Sequence, residues 1–520
     1  MTLRLTMVGL GADISGTLAA RDAGAELHVD LELENHVDFD RNRIGLVALH
    51  PLTVAGSPLR VRHPSGATTE TAFPVHVAPD QPARDISGLT WRVGNREHRL
   101  RFDGDVFEME DQRNWTDASF KTYSTPLERP APVMQRAGTT VHQSLVLASE
   151  PAPSAERATR LAASPPEPPI VRFQPTDRPV PAIGIATTTH WSGHGWSRRA
   201  SPASTPQLDF VLVEVDARAD SVRGALERAT GEANGAPLDV RIVADDASHV
   251  ERAVAELPAQ GVVRVGVFSA RTHATEPALW AALQGFVRRR ALDVELIAGT
   301  RGHFAELNRL PVGAVPEDVA MTFGASPQVH ERSRAQLVES LAVQGTVTGE
   351  AARIAKGAAV HVGPVTLLPR FIATEPLPPV VAGPFAGSPP GSTDIDARQW
   401  APALAAWTIG SAASLAGAGA ASIAYFETTG PRGVRDEDGD APVAAALAAL
   451  REISGWQLLE PSGQVDRDVW LIAAQEPSSV RRRVALVANL AATVRTVVLE
   501  RRRVRVPSAS WIRIESDRDW

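Results

Sequence analysis

The stretch FVLVEVDARADSVRGALERATGEANGAPLDVRIVADDASHVERAVAELPAQGVVRVGVFSA (residues 210–270) decides the fold class. It holds three short runs rich in Val, Ile and Leu: FVLVEVDA (210–217), LDVRIVAD (238–245) and VVRVGVFSA (262–270). Runs of this kind suit strands buried on both faces of a parallel sheet. Between them, at 221–233 and 249–260, apolar residues recur every three or four positions, as on one side of a helix. The unit repeats outward. PAIGIATTT (181–189) precedes it, and LDVELIAGT (292–300), DVAMTFGAS (318–326), AAVHVGPVTL (358–367) and ASIAYFETT (421–429) follow, with further helical patterns at 277–291 and 333–345. Eight strands with alternating helices over about 270 residues match a (β/α)8, or TIM, barrel. A doubly wound sheet fits less well, because no G-x-G-x-x-G turn follows the first strand.

The flanks read differently. Residues 1–150 alternate apolar and polar positions, as in AELHVDLELEN (25–35) and LTWRVGNREHRLRF (89–102), which predicts an antiparallel, sandwich-like β-domain. Residues 151–169 are crowded with proline and read as a linker. The barrel domain is placed at 170–453. DVWLIAA (468–474), RRVALVANL (482–490) and VRTVVLERRRVRV (494–506) predict a small β-domain over 454–520. The whole is an α/β protein, a barrel between two β-domains.

Composition narrows the function classes. With 43% hydrophobic and 22% charged residues, the 520-residue chain can bury a sizeable core. It has no cysteine, which excludes a disulfide scaffold, a thiolate metal site and a cysteine nucleophile, and suits a reducing, cytoplasmic setting. A formal charge of -7 gives no general field for nucleic acid. The basic run Arg501–Arg503 with Arg505 reads as an edge strand kept apart from other edges by its charge. Gly, Asp and Thr interrupt each apolar run near the N-terminus, so no signal peptide is expected. The uncharged segment Gln399–Phe426 is mostly Ala, Gly and Ser. It reads as a buried helix and strand and not as a membrane span.

Barrel active sites lie at the C-terminal strand ends. Those ends carry His190 and His194, Asp216, Asp245 and Asp246, then His303, Glu306 and Asn308, then Gln328 and His330, then Thr366 and Arg370, and Glu427 on the last strand. Glu427 follows an apolar strand. There it is expected to face the mouth, lose solvation and serve as an acid or base, unless it pairs with Arg370 or Arg432. Glu306 is the natural second carboxylate, or else an acid at a helix start. His330 suits acid–base work without a metal. His190 and His194 lack the H-x-H spacing of barrel metallohydrolases, and no G-x-S-x-G elbow is present. DQRNWTDASFKTYSTPL (111–127) packs Asp111, Asn114, Trp115, Lys121 and Tyr123 into a short span, which suits a sugar-like ligand or a polar seam between domains.

The segments DQRNWTDASFKTY (111–123), GTRGHFAELNR (299–309), SPQVHERS (326–333), GPVTLLPRF (363–371), DIDARQ (394–399) and YFETTGPRGV (425–434) resemble, in order, the landmarks of the D-apionate lactonase family. The resemblance covers nearly the whole chain. Glu306, Asn308, Gln328, His330, Arg370, Arg398, Gln399 and Glu427 fall on matching positions. Glu331–Ser333, the Arg301–His303 pair and Ser124 depart from the pattern. The resemblance implies the same three-part architecture and hydrolysis of D-apionolactone to D-apionate in breakdown of a branched sugar.

The expectation is therefore a cofactor-independent lactonase acting on a small sugar-acid lactone, with no metal and with neither nucleic acid nor membrane as partner. Glu427 or Glu306 would activate water. The other, or His330, would protonate the departing ring oxygen. Arg370 and Asn308 would steady the oxyanion, and Gln328, Trp115, Lys121, Asp111 and Asn114 would bind substrate. The alternatives are a glycoside hydrolase using Glu306 and Glu427 on an acetal carbon, and a sugar-binding protein without catalysis.

Overall fold

The computed structural model describes residues 1–151, 170–189, 207–311, 313–314, 317–376, 395–436, 439–463, 466–478 and 482–516. Apart from Pro151, the segment read as a linker lies outside them, as do His190 and His194. The chain divides into two compact units, Met1–Arg113 with Ala118–Ala162, and Asn114–Asp117 with Ala163–Trp520.

In the first unit, alternation of apolar and polar residues produces two antiparallel sheets, one of eight strands and one of four. One apolar core serves both: Leu59, Trp91 and Leu100 come from the larger sheet, and Phe107, Met109 and Phe120 from the smaller. Phe102 stacks on Phe107 with ring centroids 4.2 Å apart. This is the sandwich-like packing that the two-residue period predicts.

In the second unit the eight expected strands close a barrel. They are Ala182–Ala186, Phe210–Asp216, Leu238–Ala244, Val262–Ser269, Glu295–Gly299, Ala320–Ala325, Val360–Val365 and Ser422–Glu427. Neighbours pair in parallel, and strand eight returns to strand one. Strands two, three, six, seven and eight are buried along their whole length, as parallel strands covered on both faces are. The uncharged segment forms a buried helix, Pro402–Gly417, and then strand eight. Among the described residues no helix is long and apolar enough to cross a membrane.

One boundary differs from the sequence reading. Ile170–Pro179, placed at the start of the barrel domain, is a strand of a seven-stranded C-terminal sheet. It pairs antiparallel with Gln457–Ser462 and parallel with Arg495–Leu499. Val171 and Phe173 are buried between exposed neighbours, a one-faced pattern foreign to the barrel strands. Residues 494–506 fold as a hairpin, and Arg502–Val506 is the edge strand that its arginines suggested. Ser510–Ser516 adds an edge strand that the sequence reading did not register.

Gly299 ends strand five and launches the loop that carries the site. Its φ is +121°, and a Cβ there would lie 2.4 Å from the carbonyl oxygen of Thr322 on strand six. Substitution forces the two strands apart. Gly299→Ala should lower the melting midpoint of this unit by several degrees, as for a strained core change of roughly 2–3 kcal/mol. A midpoint within about one degree of wild type, measured by scanning calorimetry, would contradict the close approach.

Candidate active site

Strand two places Glu214 inside the barrel, opposite Arg241 of strand three. Its carboxylate receives Arg301 Nη2 at 2.7 Å and Arg370 Nη1 at 2.8 Å. Burial opposes the charge of Glu214, but the two guanidiniums outweigh it and hold the carboxyl well below the usual carboxylate range. Arg301 also donates from Nη1 to His273 Nδ1 at 3.0 Å, so the ring proton of His273 sits on Nε2 and is donated to the Glu375 carbonyl at 2.7 Å. Burial, then the charge of Arg301, pushes His273 down to about 4. Arg370 Nη2 donates to the Arg301 carbonyl at 2.6 Å, and the Arg301 guanidinium lies 4.2 Å from the Phe371 ring centroid. These groups border a small pocket of about 10 Å³, lined by Arg301, Gly302, His303, Gly324, Ala325, Pro364, Thr366, Arg370 and Phe371, at the ends of strands five to seven. His303 is pushed down to about 4 by burial, then by the charges of Arg370 and His330.

Beside the pocket stands His330. Its Nδ1 lies 2.6 Å from Asp117 Oδ2, while Gln336 Nε2 donates to Asp117 Oδ1 at 2.6 Å. Asp117 is buried and His330 partly exposed. A carboxylate fixed on one ring nitrogen orients the imidazole, the arrangement of a general base with its orienting acid. Trp115 meets the His330 ring edge-on at 5.5 Å, and Arg309 lies 4.9 Å from the Trp115 ring. Thr116, a β-branched residue at φ +66°, is strained. It is held there by its hydroxyl, which donates to the Ser326 carbonyl at 2.9 Å.

Other expected site residues are occupied in ways their sequence positions did not disclose. Glu306 sits on the helix Phe304–Asn308 and its Oε2 accepts the His303 N–H at 2.7 Å, as a helix-start acid does. Burial raises its pKa. Asn308 donates to Asn114 Oδ1 at 3.0 Å. Gln328 Nε2 donates to the Leu367 carbonyl at 3.0 Å and to Asp396 at 2.9 Å, and Arg398 donates to its Oε1, so Gln328 braces two loops.

Glu427 is turned away from the expected position. Phe426 lies at φ +52°, and the pairing of strands one and eight slips there, a bulge that re-aims the next side chain. The Glu427 carboxylate accepts from the Thr189 hydroxyl at 2.7 Å and the Thr189 N–H at 3.2 Å, and pairs with Arg432 at 3.0 Å. This is the Arg pairing weighed as the alternative in the sequence. Asp111 and Lys121 belong to the first unit. Asp111 forms a buried pair with Arg113 at 2.7 Å, which in turn anchors the carbonyls of residues 74–76, and Lys121 pairs with Glu110 at 2.5 Å.

The structure thus brings Trp115, Asn114, Asn308, Glu306, His330 and Arg370 onto one side of the barrel and leaves Glu427 with strands one and eight. It adds Asp117, Glu214 and Arg301, and it places His303, a strand-end candidate, in the lining of the pocket. Among the described residues no group of three or more His, Asp or Glu side chains is arranged to hold a metal.

A family model described as the N-terminal domain of D-apionate lactonase matches residues 2–152, and one described as the TIM barrel domain of D-apionate lactonase matches residues 184–455. A D-apionate lactonase of Brucella anthropi is 38% identical over 168 residues. Those residues are 32% of this chain, and the match spans 27% of the length of that curated relative. Among solved structures, a Paenibacillus polymyxa xyloglucanase of glycoside hydrolase family 44 has a TM-score of 0.41 at 9% identity, covering 67% of this chain and 99% of its own. An endo-β-1,6-glucanase has a TM-score of 0.40 at 8% identity, covering 68% of this chain and 93% of its own.

The neutral histidines carry a pH signature. His273 and His303 have folded pKa values of about 4 against 6.5 when free. Between those values the unfolded chain binds protons that the folded chain does not, so stability falls as pH drops through this window and is flat above it. Melting midpoints should hold between pH 7 and 8 and decline from about pH 6.5 to 4, with a shallower decline in His303→Gln. A midpoint independent of pH across that window would show that these rings charge freely in the folded state.

Proposed function

We propose that this chain, which belongs to the D-apionate lactonase family, hydrolyses a sugar-acid lactone, D-apionolactone to D-apionate. The observation that carries the mechanism is the 2.6 Å pair of Asp117 and His330 beside a pocket walled by two guanidiniums. Opening a lactone needs a base for water, a donor for the forming oxyanion and a proton for the ring oxygen.

His330, oriented through Nδ1, takes a water proton on Nε2 as the oxygen attacks the carbonyl carbon. Arg370 faces the pocket and steadies the oxyanion. Collapse of the tetrahedral intermediate breaks the ring C–O bond, and the alkoxide takes a proton. Glu306 supplies it, since burial favours its protonated form and it lies behind Gly302, where a Cβ would come 2.8 Å from its Oε2. Trp115, Asn114 and Asn308 shape the sugar side. Glu427, paired with Arg432, positions Thr189 and is no longer the first choice for the base.

The direct test is proton release from D-apionolactone and other aldonolactones beside a panel of chromogenic glycosides. Acid release from lactones alone supports the reading, and glycoside cleavage with inert lactones sinks it. His330→Gln and Asp117→Asn should each lower kcat by roughly 10²–10⁴-fold with a smaller change in KM. The double variant should fall little further, because the two act as one unit. Glu427→Gln should cost less than either. A variant at His330 that keeps more than about half the wild-type kcat would return the base to Glu427 or Glu306.

A further inference from the structure

We propose that Gln336 is a positioning residue for the base: acting through Asp117, it fixes which ring nitrogen of His330 carries the proton. The inference rests on the reading of His330 as the base and deepens it, by naming the group that readies the ring.

Gln336 lies in the first turn of the helix Arg334–Ile354, and the Ser333 hydroxyl oxygen accepts its backbone N–H at 3.2 Å, which caps that helix. The side chain then reaches two partners. Its Nε2 donates to the Pro327 carbonyl at 2.7 Å and to Asp117 Oδ1 at 2.6 Å. A side-chain amide carries two hydrogens on nitrogen and none on oxygen, and a backbone carbonyl can only accept. The nitrogen of Gln336 is therefore the atom that faces both partners, and Asp117 Oδ1 is an acceptor. The reversed amide would set its oxygen against the carbonyl and the carboxylate, and leave both without a donor.

The other oxygen of Asp117, Oδ2, lies 2.6 Å from His330 Nδ1. Imidazole binds a proton more tightly than a carboxylate does, so the proton between them stays on Nδ1. A neutral ring held in this way has a bare Nε2, the atom that has to take the water proton. Asp117 and Gln336 are both buried. A donor lost from Gln336 is therefore not simply replaced by bulk water. Without it, Asp117 is free to turn, and the ring can carry its proton on either nitrogen. The same amide ties three parts of the chain: the helix, the loop after strand six through Pro327, and the Asn114–Asp117 segment.

Long-range 1H–15N NMR of protein labelled at histidine reads the ring tautomer without turnover, with His330→Gln to assign the signal. At about pH 8.5, above the ordinary histidine range, wild type should show His330 protonated on Nδ1. Gln336→Met keeps the length of the side chain and removes both hydrogens. It should give a mixture of tautomers, lower kcat by about tenfold or more and leave KM within about threefold. Added to Asp117→Asn, the same change should cost less than about threefold further, because it acts through that carboxylate. Where Gln336→Met gives no cooperative melt, Gln336→Glu takes its place. A protonated carboxyl has one hydrogen for two acceptors and an ionised one has none, so tautomer and kcat should move in the same direction.

An unchanged tautomer or an unchanged kcat in the folded variant overturns the positioning role. A loss that multiplies in full with that of Asp117→Asn also overturns it, since Gln336 would then act on structure elsewhere. A tautomer that moves as expected, in a protein that hydrolyses no lactone, would sink the lactonase reading alone. Lactone turnover with an unmoved tautomer would sink the positioning role alone.

Discussion

The mouth of the barrel depends on one buried carboxylate between two guanidiniums. Glu214 takes Arg301 from the loop after strand five and Arg370 from the loop after strand seven. Arg301 then fixes His273 from the loop after strand four, and His273 holds the carbonyl of Glu375. Three loops are thus registered on a single side chain of strand two. The desolvation that such a cluster costs is met only while every member is present. Removing one partner of a buried pair typically costs about 3–5 kcal/mol, because the charge left behind has neither water nor counter-ion.

The same economy runs through the barrel. Asp239, Arg241 and Arg264 lie where branched apolar side chains commonly fill a barrel, and Arg241 reaches from strand three to the Gly363 carbonyl on strand seven. A charged interior tolerates one register of the strands, since a slip strands several ions at once. The proposed chemistry lies at the C-terminal strand ends. The Asn114–Asp117 segment completes that end. It supplies the acid that orients His330, and it is held in a strained turn by the hydroxyl of Thr116.

Much of the fold was legible because burial on two faces leaves a plain mark. FVLVEVDA, LDVRIVAD and the other runs read as barrel strands because they are short, rich in Val and Ile, and separated by helical patterns. The same runs hid the site. Glu214, Arg241 and Arg264 are charges set among Val, Ile and Leu in buried strands, and that contrast was the signal available for a buried ion network. Glu427 was legible as a buried acid at a strand end, but its direction was not, because it depends on the left-handed backbone of Phe426. In the polar segment 111–123 the sequence could not separate Asp111 and Lys121, which pair locally, from Asp117, which reaches His330. Ile170–Pro179 was assigned to the barrel by position, although its one-faced burial marks an antiparallel neighbour.

The central claim is that the chemistry occurs between His330 and Arg370, on the side of strands five to seven, and not beside Glu427. The most direct measurement is a crystal structure of the protein with a cyclic phosphonate that mimics the tetrahedral intermediate of lactone hydrolysis. The account places one phosphonyl oxygen about 2.7–3.1 Å from Arg370 and the other toward Nε2 of His330. A phosphonate seated against Glu427, Thr189 and Arg432, with the Arg370 pocket empty, would contradict it.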